Sequence, residues 1–252
     1  MPDCLLIESR GPIRIVRLNR PEQLNATSPE LHKRLSEVWG ELAADPEARA
    51  VVITGEGRAF SAGGDLDLIK DMRQNFALRR QILQEAKAIV RGLVDFPLPL
   101  VAAVNGPAVG LGCSLVSLSD VVFMSESAYL ADPHVTVGLV AGDGGAVTFP
   151  LVMSLLKAKE FLLTGDRIPA EEALRLGLAN RVVKSDDLLD QALAYAERLA
   201  AQPRRAVEGT KRTLNLHLSK AMAGILDFAI SSESESFDCP DHHAAIERMT
   251  KR

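Results

Sequence analysis

One stretch, PLVAAVNGPAVGLGCS at residues 99–114, constrains the fold of this chain most strongly. Its apolar, partly β-branched start is typical of a strand buried on both faces. The turn signal NGP ends that strand, and Gly110 and Gly112 precede residues that suit a buried helix. Because the first turn of a helix presents unpaired peptide N–H groups and partial positive charge, this turn favours an anion. Alternatively, the glycines only allow the helix to pack closely on the strand.

A second stretch repeats the arrangement of a strand that leads into glycines. The apolar run AVVIT at residues 50–54 is followed by GEGRAFSAGGDL, which contains Gly63 and Gly64. Two such turns with free N–H groups are able to converge on one carbonyl oxygen. Neither stretch matches G-x-G-x-x-G or ends in G-K-[ST], so the sequence does not indicate a nucleotide site.

These two stretches carry a family resemblance. FSAGGDL together with NGPAVGLGCSL resembles the enoyl-CoA hydratase/isomerase (crotonase) superfamily, and so do NRPEQLNA at residues 19–26 and LLTGDRIPAEEALRLGLANRVV at residues 162–183. The four motifs follow the family's order and cover most of the chain. The resemblance implies an α/β fold, a crotonase-like spiral of ββα turns, with C-terminal helices that build a trimer.

Composition narrows the class of protein. The 252 residues include 47% apolar and 25% charged residues, which is ordinary for a globular protein. The net charge of −4 indicates no nucleic-acid partner, and no apolar run is long enough for a membrane span. Cys4, Cys113 and Cys239 are far apart, which favours reduced thiols over disulfides or a metal site. Without a secretion signal at the N-terminus, the sequence predicts a cytoplasmic enzyme.

The order of elements predicts two regions. Strands and helices alternate early, while helices dominate late, so we expect an α/β core over residues 1–190 and a helical region over residues 191–252. The sequence also predicts a half-exposed strand at Ile13–Leu18 and one polar helix over residues 71–91. The apolar helix face of Ala221, Ile225, Phe228 and Ala229 needs a partner, and the family resemblance implies that the assembly is a homotrimer or a dimer of trimers.

The resemblance assigns roles to residues of the two glycine-rich stretches. It implies that the N–H groups of Gly64 and Leu111 form an oxyanion hole for a thioester enolate. Relatives usually have glycine at the second position, so the leucine side chain narrows the acyl pocket. The resemblance implies coenzyme A as part of the substrate and no tightly bound cofactor. The residues expected to contact coenzyme A are Asn25, Ala26, Ser61, Ala62, Gly64 and Gly110.

The acid/base residues depart from the family pattern. Where hydratases usually have two glutamates, this sequence has Ser114 and His134. Addition of water to a double bond needs a base for the water and an acid for the α-carbon, so standard hydration and isomerisation by one glutamate are both in doubt. Asp143 follows across glycine turns, and an aspartate beside an imidazole fixes its tautomer. We therefore expect His134 and Asp143 to be hydrogen-bonded and catalytic, unless the pair is only structural.

Three functions fit these features. The first is an acyl-CoA enzyme of the hydratase/isomerase type that uses His134 in place of glutamate. The second is a hydrolase that cleaves a carbon–carbon bond of a β-dicarbonyl, or a CoA ester, through the His134–Asp143 dyad. In family members that cleave β-diketones, a histidine at this position works with an aspartate. The third is an acyl-CoA-binding protein without catalysis.

Overall fold

The computed structural model describes residues 3–250. Its strands are β1 (Leu5–Arg10), β2 (Ile13–Leu18), β3 (Ala50–Gly55), β4 (Leu100–Val104), β5 (Ala108–Val109), β6 (Val121–Ser125), β7 (Tyr129–Ala131), β8 (Ile168–Pro169) and β9 (Arg181–Val183). The helices are α1 (Pro29–Ala44), α2 (Leu66–Gln74), α3 (Phe76–Asp95), α4 (Leu111–Ser117), α5 (Gly145–Val152), α6 (Leu155–Thr164), α7 (Ala170–Leu176), α8 (Leu188–Ala200), α9 (Arg204–Met222), α10 (Ile225–Ser236) and α11 (Pro240–Thr250). Short 3-10 helices lie at Pro21–Gln23, His134–Val137 and Ser185–Asp187.

A six-stranded sheet in the order β1-β2-β3-β4-β6-β9 forms the centre of the fold. Only β1 and β2 pair antiparallel, and the other neighbours are parallel. The residues of β3 and β4 are all buried, as expected for central strands of a sheet covered on both faces. Because β3 and β4 are parallel neighbours, the glycine-rich segments that follow them leave the same edge of the sheet.

Helices cover both faces of this sheet. One face packs against α1 and α3 and forms the larger hydrophobic core. In this core the rings of Trp39 and Phe96 pack edge to face, with 5.6 Å between their centroids. The other face is covered by α8, whose Ala192, Leu193 and Ala196 contact β2, β3, β4 and β6. The strands β5, β7 and β8 form a small second sheet.

The architecture confirms the predicted α/β class with a helical C-terminal region. Helices α9, α10 and α11 follow one another after the sheet has ended. The predicted boundary near residue 190 lies within α8, and the division into residues 1–190 and 191–252 stays a prediction. Within the described residues no helix is both long and apolar enough to cross a membrane.

Some local predictions were wrong. The β2 strand is buried except for a half-buried Arg17, because Arg14 is covered and pairs with Asp45 at 2.7 Å. The single polar helix over residues 71–91 is two helices, α2 and α3. Asn75 separates them, since its side chain accepts a hydrogen bond from the N–H of Leu78 and caps α3. The β1 strand was missed because five of its six residues are exposed and its polar residues obscure the pattern.

Candidate active site

The two glycine-rich segments meet at the sheet edge. Ser61 and Ala108 form a parallel β-bridge, and the N–H of Val109 donates to the carbonyl of Ser61 at 2.9 Å. A Cβ on Gly63 would lie 2.9 Å from the carbonyl oxygen of Val109, and one on Gly112 would lie 2.7 Å from the Cβ of Ser61. Glycine is therefore required here because the backbones approach too closely for a side chain.

Two peptide N–H groups at this junction are unpaired. Across residues 3–250, neither the N–H of Gly64 nor that of Leu111 donates a hydrogen bond to another residue. Gly110 precedes Leu111 with a left-handed φ of +52°, which ends β5 and starts α4. Gly64, Gly110 and Leu111 all line the same cavity. An unpaired N–H in a cavity is available to a ligand oxygen, and the oxyanion hole at these two groups stays a prediction.

The cavity has a volume of about 650 Å³ and mostly apolar walls. Its apolar lining comes chiefly from α2, α3 and the loop before α5, namely Leu68, Ile69, Met72, Ile82, Leu83, Ala86 and Leu139. The titratable side chains that reach it are His32, Asp65, His134, Asp143 and Glu233. A volume and lining of this kind suit a small ligand that is largely apolar.

His134 lies between two aspartates. Its Nδ1 hydrogen-bonds Oδ1 of Asp132, and its Nε2 lies 3.7 Å from Oδ2 of Asp143. The expected hydrogen bond between His134 and Asp143 is therefore not formed, because Asp132 holds the ring and Asp143 instead accepts from Ser114 Oγ at 2.8 Å. A Cβ on Gly110 would lie 3.9 Å from Cε1 of His134, so the ring adjoins the glycine turn.

The two aspartates change the charge state of His134. Burial alone would lower the pKa of His134, but the charges of Asp132 and Asp143 and the hydrogen bond to Asp132 raise it well above its ordinary value. Burial raises the pKa of Asp143, and the charge of His134 partly opposes that rise. At neutral pH the imidazolium is thus the favoured form.

Glu233 is a fourth member of this cluster. It lies on α10, is buried, and has no hydrogen-bond partner for Oε2 within the described part of the chain. Burial raises its pKa to about 8, and the charges of Asp143 and Asp132 act in the same direction while that of His134 opposes them. Glu233 is therefore largely a neutral acid at pH 7. A sequence signal existed, since Glu233 falls on the apolar face of α10 with Leu226, Ala229 and Ile230.

The residues expected to contact coenzyme A divide into two groups. Ala26, Ala62, Gly64 and Gly110 line the cavity. Asn25 and Ser61 do not line it but are buried and join the loops. Asn25 Nδ2 donates to the carbonyls of Glu56 and Ala59, and Ser61 Oγ donates to the carbonyl of Asn25 at 2.9 Å. These two side chains therefore shape the glycine-rich loop that follows β3.

The cluster also offers atoms that a cation could use. One ligand atom each from Asp132, His134 and Asp143 lie within 4.8 Å of one another. All three residues already form hydrogen bonds. His134 Nδ1 bonds Asp132, and Asp143 accepts from Ser114 Oγ. The sequence predicted no metal site, and this stays a prediction.

Comparison with known proteins identifies the same family. The family model for enoyl-CoA hydratase/isomerase matches residues 8–249. A short-chain-enoyl-CoA hydratase of Clostridium acetobutylicum is 33% identical over 234 residues, which are 92% of this chain and 87% of that protein.

Solved structures agree. The crystal structure of an enoyl-CoA hydratase/isomerase from Mycobacterium paratuberculosis is 51% identical with a TM-score of 0.95, covering 98% of this chain and 99% of that one. A monofunctional enoyl-CoA isomerase from M. smegmatis is 33% identical with a TM-score of 0.73, covering 86% of this chain and 94% of that one. The chain therefore belongs to the enoyl-CoA hydratase/isomerase family, as its glycine-rich motifs predicted, and is an enzyme of that family.

Proposed function

We propose that the enzyme acts on an acyl-CoA thioester and stabilises an enolate at the N–H groups of Gly64 and Leu111. The observation that carries this proposal is that both unpaired N–H groups and His134 line one largely apolar cavity. Negative charge that develops on the thioester oxygen would meet preorganised donors, and one such donor contributes roughly 3–4 kcal/mol to barrier lowering in known enzymes. Coenzyme A enters as part of the substrate, with no tightly bound cofactor.

The proton chemistry follows from the charge state of the cluster. The His134 imidazolium donates a proton to the α-carbon as the enolate collapses, and Asp132 and Asp143 stabilise the cation beforehand. Asp143, oriented by Ser114, is the carboxylate that accepts a proton from water or substrate. This division replaces the two glutamates of typical hydratases with one imidazole and one aspartate.

A hydrolase is the second candidate, and the neutral Glu233 favours it. Cleavage of a carbon–carbon bond in a β-dicarbonyl needs water activation at one carbonyl and a proton for the departing carbon. Asp143 with His134 supplies the first, and a carboxylic acid with a pKa of about 8 supplies the second. This alternative uses the same oxyanion donors without requiring coenzyme A.

Substrate panels separate these functions. We expect the purified enzyme to consume crotonyl-CoA. The reaction is measured as loss of the absorbance of the conjugated thioester, and the product is identified by chromatography. Cleavage of a cyclic β-diketone in the absence of coenzyme A, with no turnover of crotonyl-CoA, would replace the first proposal by the second. Tight binding of acyl-CoA without turnover of either class would instead support a binding protein.

We further propose that the protein acts in the cytoplasm as a homotrimer or a dimer of trimers, with residues 191–252 in the oligomerisation region. Exposed apolar side chains support this proposal. Leu214 is 61% exposed on α9 and Phe228 is 75% exposed on α10, whereas Ala229 of the predicted face is already buried within the chain.

A further inference from the structure

His32, which lines the same cavity, forms a second histidine–carboxylate pair with Glu85. His32 lies on the apolar face of α1, is 6% exposed, and its Nδ1 lies 3.1 Å from Oε2 of Glu85 on α3. Gln81 Nε2 donates to the other oxygen of Glu85 at 2.9 Å. The oxyanion hole and the His134 cluster do not use this pair.

The pair presents one free ring nitrogen. Burial alone would raise the pKa of Glu85, but hydrogen bonds from His32 and Gln81 hold it below its ordinary value, so Glu85 is a carboxylate that accepts Nδ1–H. Nε2 then has no partner among the residues the structure describes, and it is not enclosed like the buried unpaired atoms of Trp39 or His242. A polar atom on an apolar wall costs free energy unless a ligand or water bonds it.

Apolar side chains of α3 line the cavity together with His32. The cavity wall contributed by α3 is otherwise apolar, with Ile82, Leu83 and Ala86. A charge on His32 lowers the pKa of Asp143, so the two side chains are close enough to interact electrostatically. A purely hydrocarbon acyl group would leave Nε2 unpaired, whereas an oxygen on that group would bond it.

We propose that His32, oriented by Glu85, binds a second oxygen of the substrate, a hydroxyl or a ketone on the acyl group. The preferred substrates are then oxygenated acyl groups. This inference rests on the proposed function, because the thioester at Gly64 and Leu111 fixes the other end of the acyl group. A neutral imidazole accepts from a hydroxyl, and an imidazolium donates to a ketone.

The test compares saturated acyl-CoA thioesters with a six-carbon chain. One is unsubstituted, and the others carry a hydroxyl or a ketone on the penultimate carbon. Calorimetric Kd values should show at least tenfold tighter binding of one oxygenated thioester, because sites built for hydrogen bonds discriminate against analogues that lack them. In His32→Leu the ratio should fall to about one, while the exposed His217→Leu on α9 should retain it.

Glu85→Gln provides a second variant that keeps the side-chain volume. It should reduce the preference without abolishing acyl-CoA binding, because the imidazole loses its charged acceptor. Equal Kd values for all three thioesters in the parent, no binding of any of them, or a preference that survives His32→Leu would overturn the proposal. Turnover of the α,β-unsaturated six-carbon thioester is measured separately. Preference without turnover would reject the proposed function alone, and turnover without preference would reject this inference alone.

Discussion

At the scale of single residues, the site is determined by the charges of four clustered side chains. Asp132 and Asp143 bracket the His134 ring, and Glu233 approaches as a neutral acid. The raised pKa of His134 makes the imidazolium the resting form, so a protonated acid lies beside an apolar cavity. Such a site suits delivery of a proton to carbon, which is slow unless the acid is positioned beforehand.

Loss of His134 tests this role directly. We expect purified His134→Ala to lower kcat with the best acyl-CoA substrate by roughly 100-fold or more, the usual contribution of a positioned acid or base. Asp143→Asn should lose a comparable factor, because it removes the carboxylate proposed to accept a proton while His134 keeps its hydrogen bond to Asp132. His217→Ala on the exposed face of α9 is the matched control and should leave kcat unchanged. Parental kcat in His134→Ala would eliminate the mechanism.

Glu233 makes a prediction about stability. Because its pKa is about 8 in the folded state and 4.5 ordinarily, the native state binds the proton more tightly. This contribution is fully present below pH 4.5 and is lost as pH rises through about 8. The free energy of unfolding of the parent relative to Glu233→Gln should therefore fall with pH, by up to about 1.4 kcal/mol per unit.

Chemical denaturation from pH 5 to 8 measures that difference. The groups that face Glu233 are His134, Asp132 and Asp143, and all are present in both proteins. Glu235→Gln, on the exposed side of the same helix, should show no comparable slope. A difference between parent and Glu233→Gln that does not vary with pH would mean that Glu233 titrates normally.

At the scale of elements, the site depends on how closely the two glycine-rich segments approach. A side chain on Gly112 would contact Ser61 Cβ at 2.7 Å, and that atom cannot rotate away. The approach keeps the start of α4, with the N–H of Leu111, beside the loop that carries Gly64. Backbone contact, rather than a side chain, thus sets the position of the unpaired N–H groups of Gly64 and Leu111.

Two glycine-to-alanine variants separate close packing from helix propensity. Gly112→Ala should lower the free energy of unfolding by about 1–3 kcal/mol, because overpacking forces the backbone to shift. Gly40→Ala in α1 should raise it by about 0.5–1 kcal/mol, since nothing lies within 4 Å of the added methyl. Urea unfolding curves of both variants provide the values. Similar stabilities for the two variants would refute the close approach.

At the scale of the whole molecule, a band of apolar surface remains uncovered. A groove between the end of α5 and α9 contains Leu151, Val152 and Leu214, which are 48%, 40% and 61% exposed. Within the described residues nothing covers these side chains. Apolar surface of this kind marks interfaces, which agrees with the proposed homo-oligomer.

Sedimentation velocity at micromolar concentration should find a trimer or hexamer and no monomer. Leu214→Glu should shift the population to smaller species, because a charge would be buried in an apolar interface. Thr213→Glu adds the same charge at the neighbouring exposed position outside the groove and should sediment like the parent. A monomeric parent protein would contradict the oligomer proposal.

Local sequence pattern was enough to predict the part of the site made from backbone. Leu100–Val104 and the AVVIT run read as buried strands, and the glycines after them predicted turns with free N–H groups. Parallel neighbours place such turns at one sheet edge, so pattern and family resemblance predicted that Gly64 and Leu111 lie close together, and both line one cavity.

The part of the site made from side chains depended on the tertiary structure. Asp132 and Asp143 both lie near His134 in sequence, and only packing decided which of them hydrogen-bonds the ring. Glu233 and His32 come from helices far away in the chain, and each lies on an otherwise apolar helix face. Sequence therefore determined the strands, the glycine turns and the family. Tertiary structure decided the pKa shifts of the side-chain cluster, because pKa values depend on burial and on charges that only folding brings together.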